Sequence, residues 1–231
     1  MRKIGMIGGM SWESTAIYYK LLNEEVKHRL GGLNSANCIL YSVNFCQIEA
    51  LQRQGDWDSA AVILADAARA VEAAGADFIL ICTNTMHLVF DQIQAAVDIP
   101  VIHIADTLGE QLQQHGLKKV GLLATAFTME KSFYKNRLKD RFDIELITPN
   151  DNDRETVHSI IYQELCLGKI HRSSKEKYLA VINRLHQQGS EAIALGCTEI
   201  NLLLTAEDSL IPLFDTTEIH AKQAVALALN G

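Results

Sequence analysis

Gly75-Ala76-Asp77-Phe78-Ile79-Leu80-Ile81 and Gly189-Ser190-Glu191-Ala192-Ile193-Ala194-Leu195 are two versions of one phrase, at an offset of 114 residues. In each, a glycine stops a helical stretch and a short apolar run follows, the pattern of a strand buried on both faces. Working outward, Lys3-Ile4-Gly5-Met6-Ile7 matches Lys119-Val120-Gly121-Leu122-Leu123 at an offset of 116, and Ile99-Pro100-Val101-Ile102 matches Ile211-Pro212-Leu213-Phe214 at 112. Three matches in one order at nearly constant spacing make the chain a duplicated α/β unit.

Strands are expected over Lys3–Ile7, Cys38–Val43, Phe78–Cys82, Val101–His103, Val120–Leu123, Ile144–Ile147 and Ala192–Leu195. Helices are expected near residues 12–30, 58–74, 105–115, 128–140, 151–167 and 173–188. Ser11 stands where it can cap the first helix, with Glu13 in its first turn. Alternation of this kind predicts parallel sheets with helices on both faces. The expected fold is α/β with two pseudo-symmetric lobes, each a parallel sheet flanked by helices, and an active site in the crevice between them. Residues 1–98 with 216–231 form the first lobe, and residues 99–215 the second.

Composition removes several function classes. The 231 residues are 48% hydrophobic, enough for a sizeable core, and 21 Lys and Arg against 28 Asp and Glu leave a net charge of −7. With no basic run longer than Lys118-Lys119, neither nucleic acid nor an anionic membrane surface is an expected partner. No apolar stretch reaches the ~18 residues of a membrane span, so a cytoplasmic protein is expected. Five cysteines, Cys38, Cys46, Cys82, Cys166 and Cys197, are scattered without a CxxC pair, so a disulfide scaffold or zinc site is not expected. Cys38, Cys46 and Cys82 read as core.

In open α/β sheets ligands bind at the carboxyl ends of the strands. Cys82-Thr83-Asn84-Thr85-Met86-His87 follows one such end and Gly196-Cys197-Thr198-Glu199 its mate. The 114-residue offset lays Thr83 on Cys197, Asn84 on Thr198 and Thr85 on Glu199. Two opposed groups on one carbon suit a reaction that takes a proton from one face and returns one to the other. A cysteine at a helix N-terminus has a lowered pKa and suits the base role, and Cys197 reads as being so placed. Backbone N–H groups around Asn84-Thr85, Thr198-Glu199 and the Gly8-Gly9-Met10-Ser11 turn suit a carboxylate.

Gly8-Gly9-Met10-Ser11, Cys82-Thr83-Asn84-Thr85-Met86-His87 and Gly196-Cys197-Thr198-Glu199-Ile200 together resemble the aspartate/glutamate racemase family, closest to its aspartate branch. The resemblance implies a cofactor-independent amino-acid racemase, without pyridoxal phosphate or metal, acting on aspartate or glutamate and assembling as a homodimer. It implies one cysteine per lobe on opposite faces of Cα, the second-lobe cysteine facing the L enantiomer. Here Thr83 replaces the first of them, and Cys82 lies one residue early, turned to the other face of its strand. The implied enzyme is asymmetric: Cys197 removes the α-proton and reprotonation comes from the Thr83 side, favouring L-substrate. Met10, Gln52, Arg53, Asn84, Thr85, Thr125, Thr128, Thr198 and Glu199 are the implied substrate contacts, with Gln52 and Arg53 in a loop after the second strand.

Other readings stay open. Cys197 as a small buried side chain, or Thr83 as a hydroxyl bonded to backbone, would leave a non-catalytic amino-acid-binding protein. A cysteine-dependent isomerase or decarboxylase of a dicarboxylate would use the same scaffold.

Overall fold

The computed structural model of the chain describes Met1–Asn230. It falls into two compact units, one of Met1–Ile104 with the C-terminal stretch from His220, the other of Ala105–Ile219. The first unit runs β1 (Ile4–Gly8), α1 (Trp12–Leu30), β2 (Cys38–Ser42), α2 (Phe45–Gln54), α3 (Trp57–Ala73) and β3 (Phe78–Ile81). A 3₁₀ turn (Thr85–Val89), α4 (Phe90–Gln94) and β4 (Val101–Ile102) follow, and α5 (Ile104–Gln114) leads out of the unit. The second unit continues with β5 (Lys119–Ala124), α6 (Ala126–Glu130), α7 (Ser132–Phe142), β6 (Glu145–Ile147), α8 (Asp151–Gln163), a 3₁₀ turn (Leu165–Leu167) and α9 (Arg172–Gln187). After β7 (Ala192–Gly196) come 3₁₀ turns at Thr198–Leu202 and Ala206–Asp208, β8 (Leu213–Asp215) and α10 (Thr216–Leu229). Each unit carries a parallel four-stranded sheet, ordered β2-β1-β3-β4 in the first and β6-β5-β7-β8 in the second.

The central strands β1 and β3 are buried along their whole length, as parallel strands covered on both faces must be. Alternation then sorts their side chains. Ile4, Met6, Phe78, Leu80 and Cys82 pack with Tyr18, Leu22 and Val26 of α1 and with Ala221, Ala224 and Val225 of α10. Ile7, Ile79 and Ile81 share the other layer with Ile48, Leu64, Ala68 and Val71. Cys82 therefore belongs to the core, and burial pushes its thiol far up.

The repeated phrase has a mechanical basis. Gly75 and Gly189 both adopt the left-handed region, at φ 90° and 96°, where a side chain would be strained. The acid two residues on then reaches the start of the neighbouring strand. Asp77 Oδ2 accepts from the Lys3 N–H at 2.5 Å while the Asp77 N–H donates to the Lys3 carbonyl at 2.9 Å. Glu191 Oε2 accepts from the Lys119 N–H at 2.8 Å while its own N–H donates to the Lys119 carbonyl at 2.8 Å.

Three expectations need correction. Gln52 and Arg53 lie not in a loop but in α2, which Asn44 caps by accepting the Cys46 N–H at 3.1 Å. Cys46 is exposed at the start of that helix rather than buried. The helices expected at 128–140 and 151–167 are each divided. Lys131 is extended, at φ −74° and ψ 141°, and separates α6 from α7. α8 stops at Gln163 and gives way to the Leu165–Leu167 turn. Among the described residues no helix is long and apolar enough to cross a membrane.

Candidate active site

In the first unit, β1 ends at Gly8 and Gly9 turns the chain at φ 88°. A Cβ on Gly9 would collide with the Val43 carbonyl, so only glycine fits. The Gly9 N–H donates to Thr15 Oγ1 at 2.8 Å, and that hydroxyl donates to the Ser11 carbonyl at 2.8 Å. Ser11 caps α1 by accepting the Ser14 N–H at 3.2 Å, as its placement before Trp12 leads one to expect. Met10 is buried in the layer of Ile7 and Ile48.

Thr83 is the half-buried residue at the end of β3, followed by buried Asn84, Thr85 and Met86. Its N–H donates to the Ile81 carbonyl at 2.8 Å. Its own carbonyl lies 2.8 Å from His87 Nδ1. Gln52 is buried, and its Nε2 donates to Met86 Sδ at 3.0 Å, so α2 braces this turn. Arg53 is not brought there: its side chain is 75% exposed and pairs with Glu49 one turn back in α2.

Behind the turn His87 joins two further buried rings, His103 and His220, that the sequence pattern does not point to. His87 and His103 have centroids 4.6 Å apart, and His220 lies 5.9 Å from His87. His220 donates from Nε2 to the Ile102 carbonyl at 3.0 Å and accepts the Tyr18 hydroxyl on Nδ1 at 2.9 Å. Burial, then the neighbouring His87, hold its pKa down at about 3, so the ring is neutral at physiological pH.

In the second unit, Cys197 follows β7 with an extended backbone and opens the Thr198–Leu202 turn. Its thiol donates to Glu199 Oε2 at 2.9 Å, and the Thr198 hydroxyl donates to the same oxygen at 2.7 Å. Thr198 and Glu199 are buried and Cys197 is half-buried. Burial, then the Glu199 carboxylate, push the thiol well above its usual range. This corrects the expectation of a lowered pKa: one short 3₁₀ turn supplies too little dipole to outweigh a carboxylate in contact. Cys166 lies in the Leu165–Leu167 turn, which packs against the Cys197 turn, and raises the thiol further. Tyr178, buried in α9 and donating to the Val157 carbonyl at 3.2 Å, is also pushed up by burial and by Cys197.

Thr125 and Thr128 lie at the end of β5, buried, with hydroxyl oxygens 3.3 Å apart. The Ala126 N–H beside them donates to His158 Nδ1 at 3.2 Å. Within the second unit the expected residues thus fall at two strand ends, β5 and β7. Within the first, Thr83, Asn84, Thr85 and Gln52 gather at one turn, while Arg53 stands apart.

The chemistry available at Cys197 is proton transfer. A thiol aimed at a carboxylate can pass its proton there, and a thiolate whose conjugate acid is weak is a strong base. Glu199 stands two residues after Cys197, and the turn folds its carboxylate back onto the thiol, a contact that spacing alone does not distinguish from a substrate contact.

Residues 7–224 match the family model described as Asp/Glu/hydantoin racemase. The chain is 25% identical to the broad specificity amino-acid racemase RacX of Bacillus subtilis, over 98% of either chain. Among solved structures, it is similar to an Asp/Glu racemase candidate from Yersinia pestis, at 53% identity and a TM-score of 0.94 over 99% of this chain and 100% of the other. An aspartate racemase homologue from Pyrococcus horikoshii OT3 is similar at 36% identity and a TM-score of 0.88, over the same shares. With the sheet order, the strand-end turns and these matches in agreement, the chain belongs to the Asp/Glu/hydantoin racemase family and is a racemase, an enzyme of the isomerase class.

Proposed function

We propose that this racemase interconverts L- and D-amino acids, aspartate and glutamate foremost, without a cofactor, and that the Thr83 and Cys197 turns serve opposite faces of one Cα. The observation that carries the reading is the Cys197 thiol, directed at the Glu199 carboxylate 2.9 Å away. Glu199 takes the thiol proton. The thiolate then removes the α-proton of the L enantiomer, the face that the family resemblance assigns to the second-lobe cysteine. The C–H electron pair passes into the substrate carboxylate, whose developing charge the backbone N–H groups of the Asn84-Thr85 and Thr198-Glu199 turns stabilise. A proton delivered from the Thr83 side forms the new C–H bond, and exchange with solvent restores Thr83 and Glu199.

The asymmetry follows from the pair. An alcohol is barely ionised at neutral pH, so the Thr83 side donates a proton far better than it takes one. The equilibrium constant between enantiomers stays at one. Asymmetry shows instead in how fast each enantiomer loses its α-hydrogen. The relative named a broad specificity amino-acid racemase supports an amino acid as substrate.

A panel of L- and D-amino acids in deuterated water, with wild type, Cys197→Ala and Thr83→Cys, tests the reading. Exchange with aspartate or glutamate that vanishes in Cys197→Ala supports it. Release of carbon dioxide from a dicarboxylate, or substrate-induced thermal stabilisation without any exchange, contradicts it.

A further inference from the structure

His87 bridges two strand exits of the first unit. Its Nδ1 lies 2.8 Å from the carbonyl of Thr83, where the chain leaves β3, and its Nε2 receives the N–H of Ile104 at 3.2 Å, where the chain has left β4. β3 and β4 are paired neighbours in the sheet. A carbonyl oxygen only accepts, so Nδ1 carries the hydrogen, and an amide N–H only donates, so Nε2 holds a lone pair. The ring has three protonation forms, and only the neutral Nδ1–H tautomer satisfies both contacts. The cation sets Nε2–H against the Ile104 N–H, and the other tautomer fails at both ends. The ring is 2% exposed and stacks on Phe90 with centroids 6.4 Å apart.

The consequence for Thr83 is that its N–H is held by Ile81 and its carbonyl by His87. Both flanking peptide planes are fixed, and with them the direction in which the side chain leaves the backbone. The second unit solves the same problem differently. At the 114-residue offset His87 corresponds to Asn201, whose Nδ2 donates to Asp215 Oδ2 at 2.6 Å. That bond ties the turn to the end of β8, and the Cys197 carbonyl accepts the Ile200 N–H at 3.2 Å instead of a side chain.

We infer that His87, as its neutral Nδ1–H tautomer, is the positioning residue that aims Thr83 at the substrate carbon. The inference rests on the proposed role of Thr83 in returning the proton. It assigns His87 no proton transfer, since both ring nitrogens are engaged by backbone.

The test separates the two faces. With L-aspartate in deuterated water, exchange with retention reports the Cys197 side alone, and exchange with inversion requires delivery from the Thr83 side. His87→Gln keeps an acceptor near Nε2 and loses the donor to Thr83. It should lower the ratio of inversion to retention roughly ten- to hundred-fold while total exchange holds, because a misplacement of about 1 Å costs that much. His87→Asn keeps a donor near Nδ1 and should restore most of the ratio. An unchanged ratio in His87→Gln, or a loss of exchange and inversion in equal proportion in both variants, overturns the inference.

Thr83→Val separates this from the underlying reading. If it leaves the ratio unchanged, the role of Thr83 fails and takes the inference with it. If it moves the ratio and His87→Gln does not, the inference alone fails. Should the variants not fold, ¹⁵N spectra of the wild-type imidazole decide: protonation on Nδ1 only is expected, and an Nε2–H or cationic ring overturns the claim.

Discussion

The turns after β3 and β7 occupy equivalent places in two sheets of the same strand order, yet they hold different chemistry. After β7, a thiol and a hydroxyl converge on one carboxylate oxygen within 2.9 Å. After β3, the backbone of Thr83 is the part that is held, its N–H by the Ile81 carbonyl and its carbonyl by His87. The two units therefore share where the ends of the strands turn and differ in the side chains they carry there. The proposed function reads that difference as an unsymmetrical proton path, with Cys197 taking a proton and the Thr83 side returning it.

The largest expected effect comes from deleting the stronger end. Cys197→Ala should lower α-hydrogen exchange from both enantiomers roughly 10²- to 10⁴-fold, the usual worth of a general base, as followed by NMR in deuterated water. Next is restoring the sulfur that the first unit lacks. Thr83→Cys should raise exchange from D-aspartate by about ten-fold or more, because a thiol ionises far more readily than an alcohol. A D-side rate unchanged by the new thiol breaks the equivalence of the two turns.

Glu199→Gln sharpens the comparison through pH. The negative charge of Glu199 disfavours the Cys197 thiolate and raises the thiol pKa. Its removal lowers that pKa, so the pH midpoint for alkylation of Cys197 by iodoacetamide should move down. The same variant should racemise more slowly, having lost its internal proton acceptor. A midpoint that stays or rises contradicts the assignment. The smallest effect belongs to the wrong-face thiol. Cys82→Ala should leave exchange rates unchanged and lower stability by about 1–2 kcal/mol, for one small buried side chain lost, as read by thermal melting.

Much of this was legible in the sequence, for reasons that can be located. The Gly75 and Gly189 phrases recur because each glycine adopts φ above +90° or at it and each following acid pins a neighbouring strand. Ser11 announces α1 by residue type and position. The face of Cys82 follows from the period of two in β3. α2 is not legible because one of its two buried positions is the polar Gln52, whose partner Met86 is distant in sequence. The direction of the Cys197 pKa shift was missed because it depends on how a short turn folds Glu199 back, a matter of side-chain geometry rather than spacing. His87 stands four residues after Thr83, a visible interval, but its second contact with Ile104 is set by the pairing of β3 with β4.

The most direct measurement is the initial loss of α-hydrogen from L-aspartate and from D-aspartate in deuterated water, compared in the wild-type enzyme under one set of conditions. The account predicts faster loss from the L enantiomer, whose hydrogen meets sulfur, than from the D enantiomer, whose hydrogen meets an alcohol. Equal initial rates from the two enantiomers would contradict it.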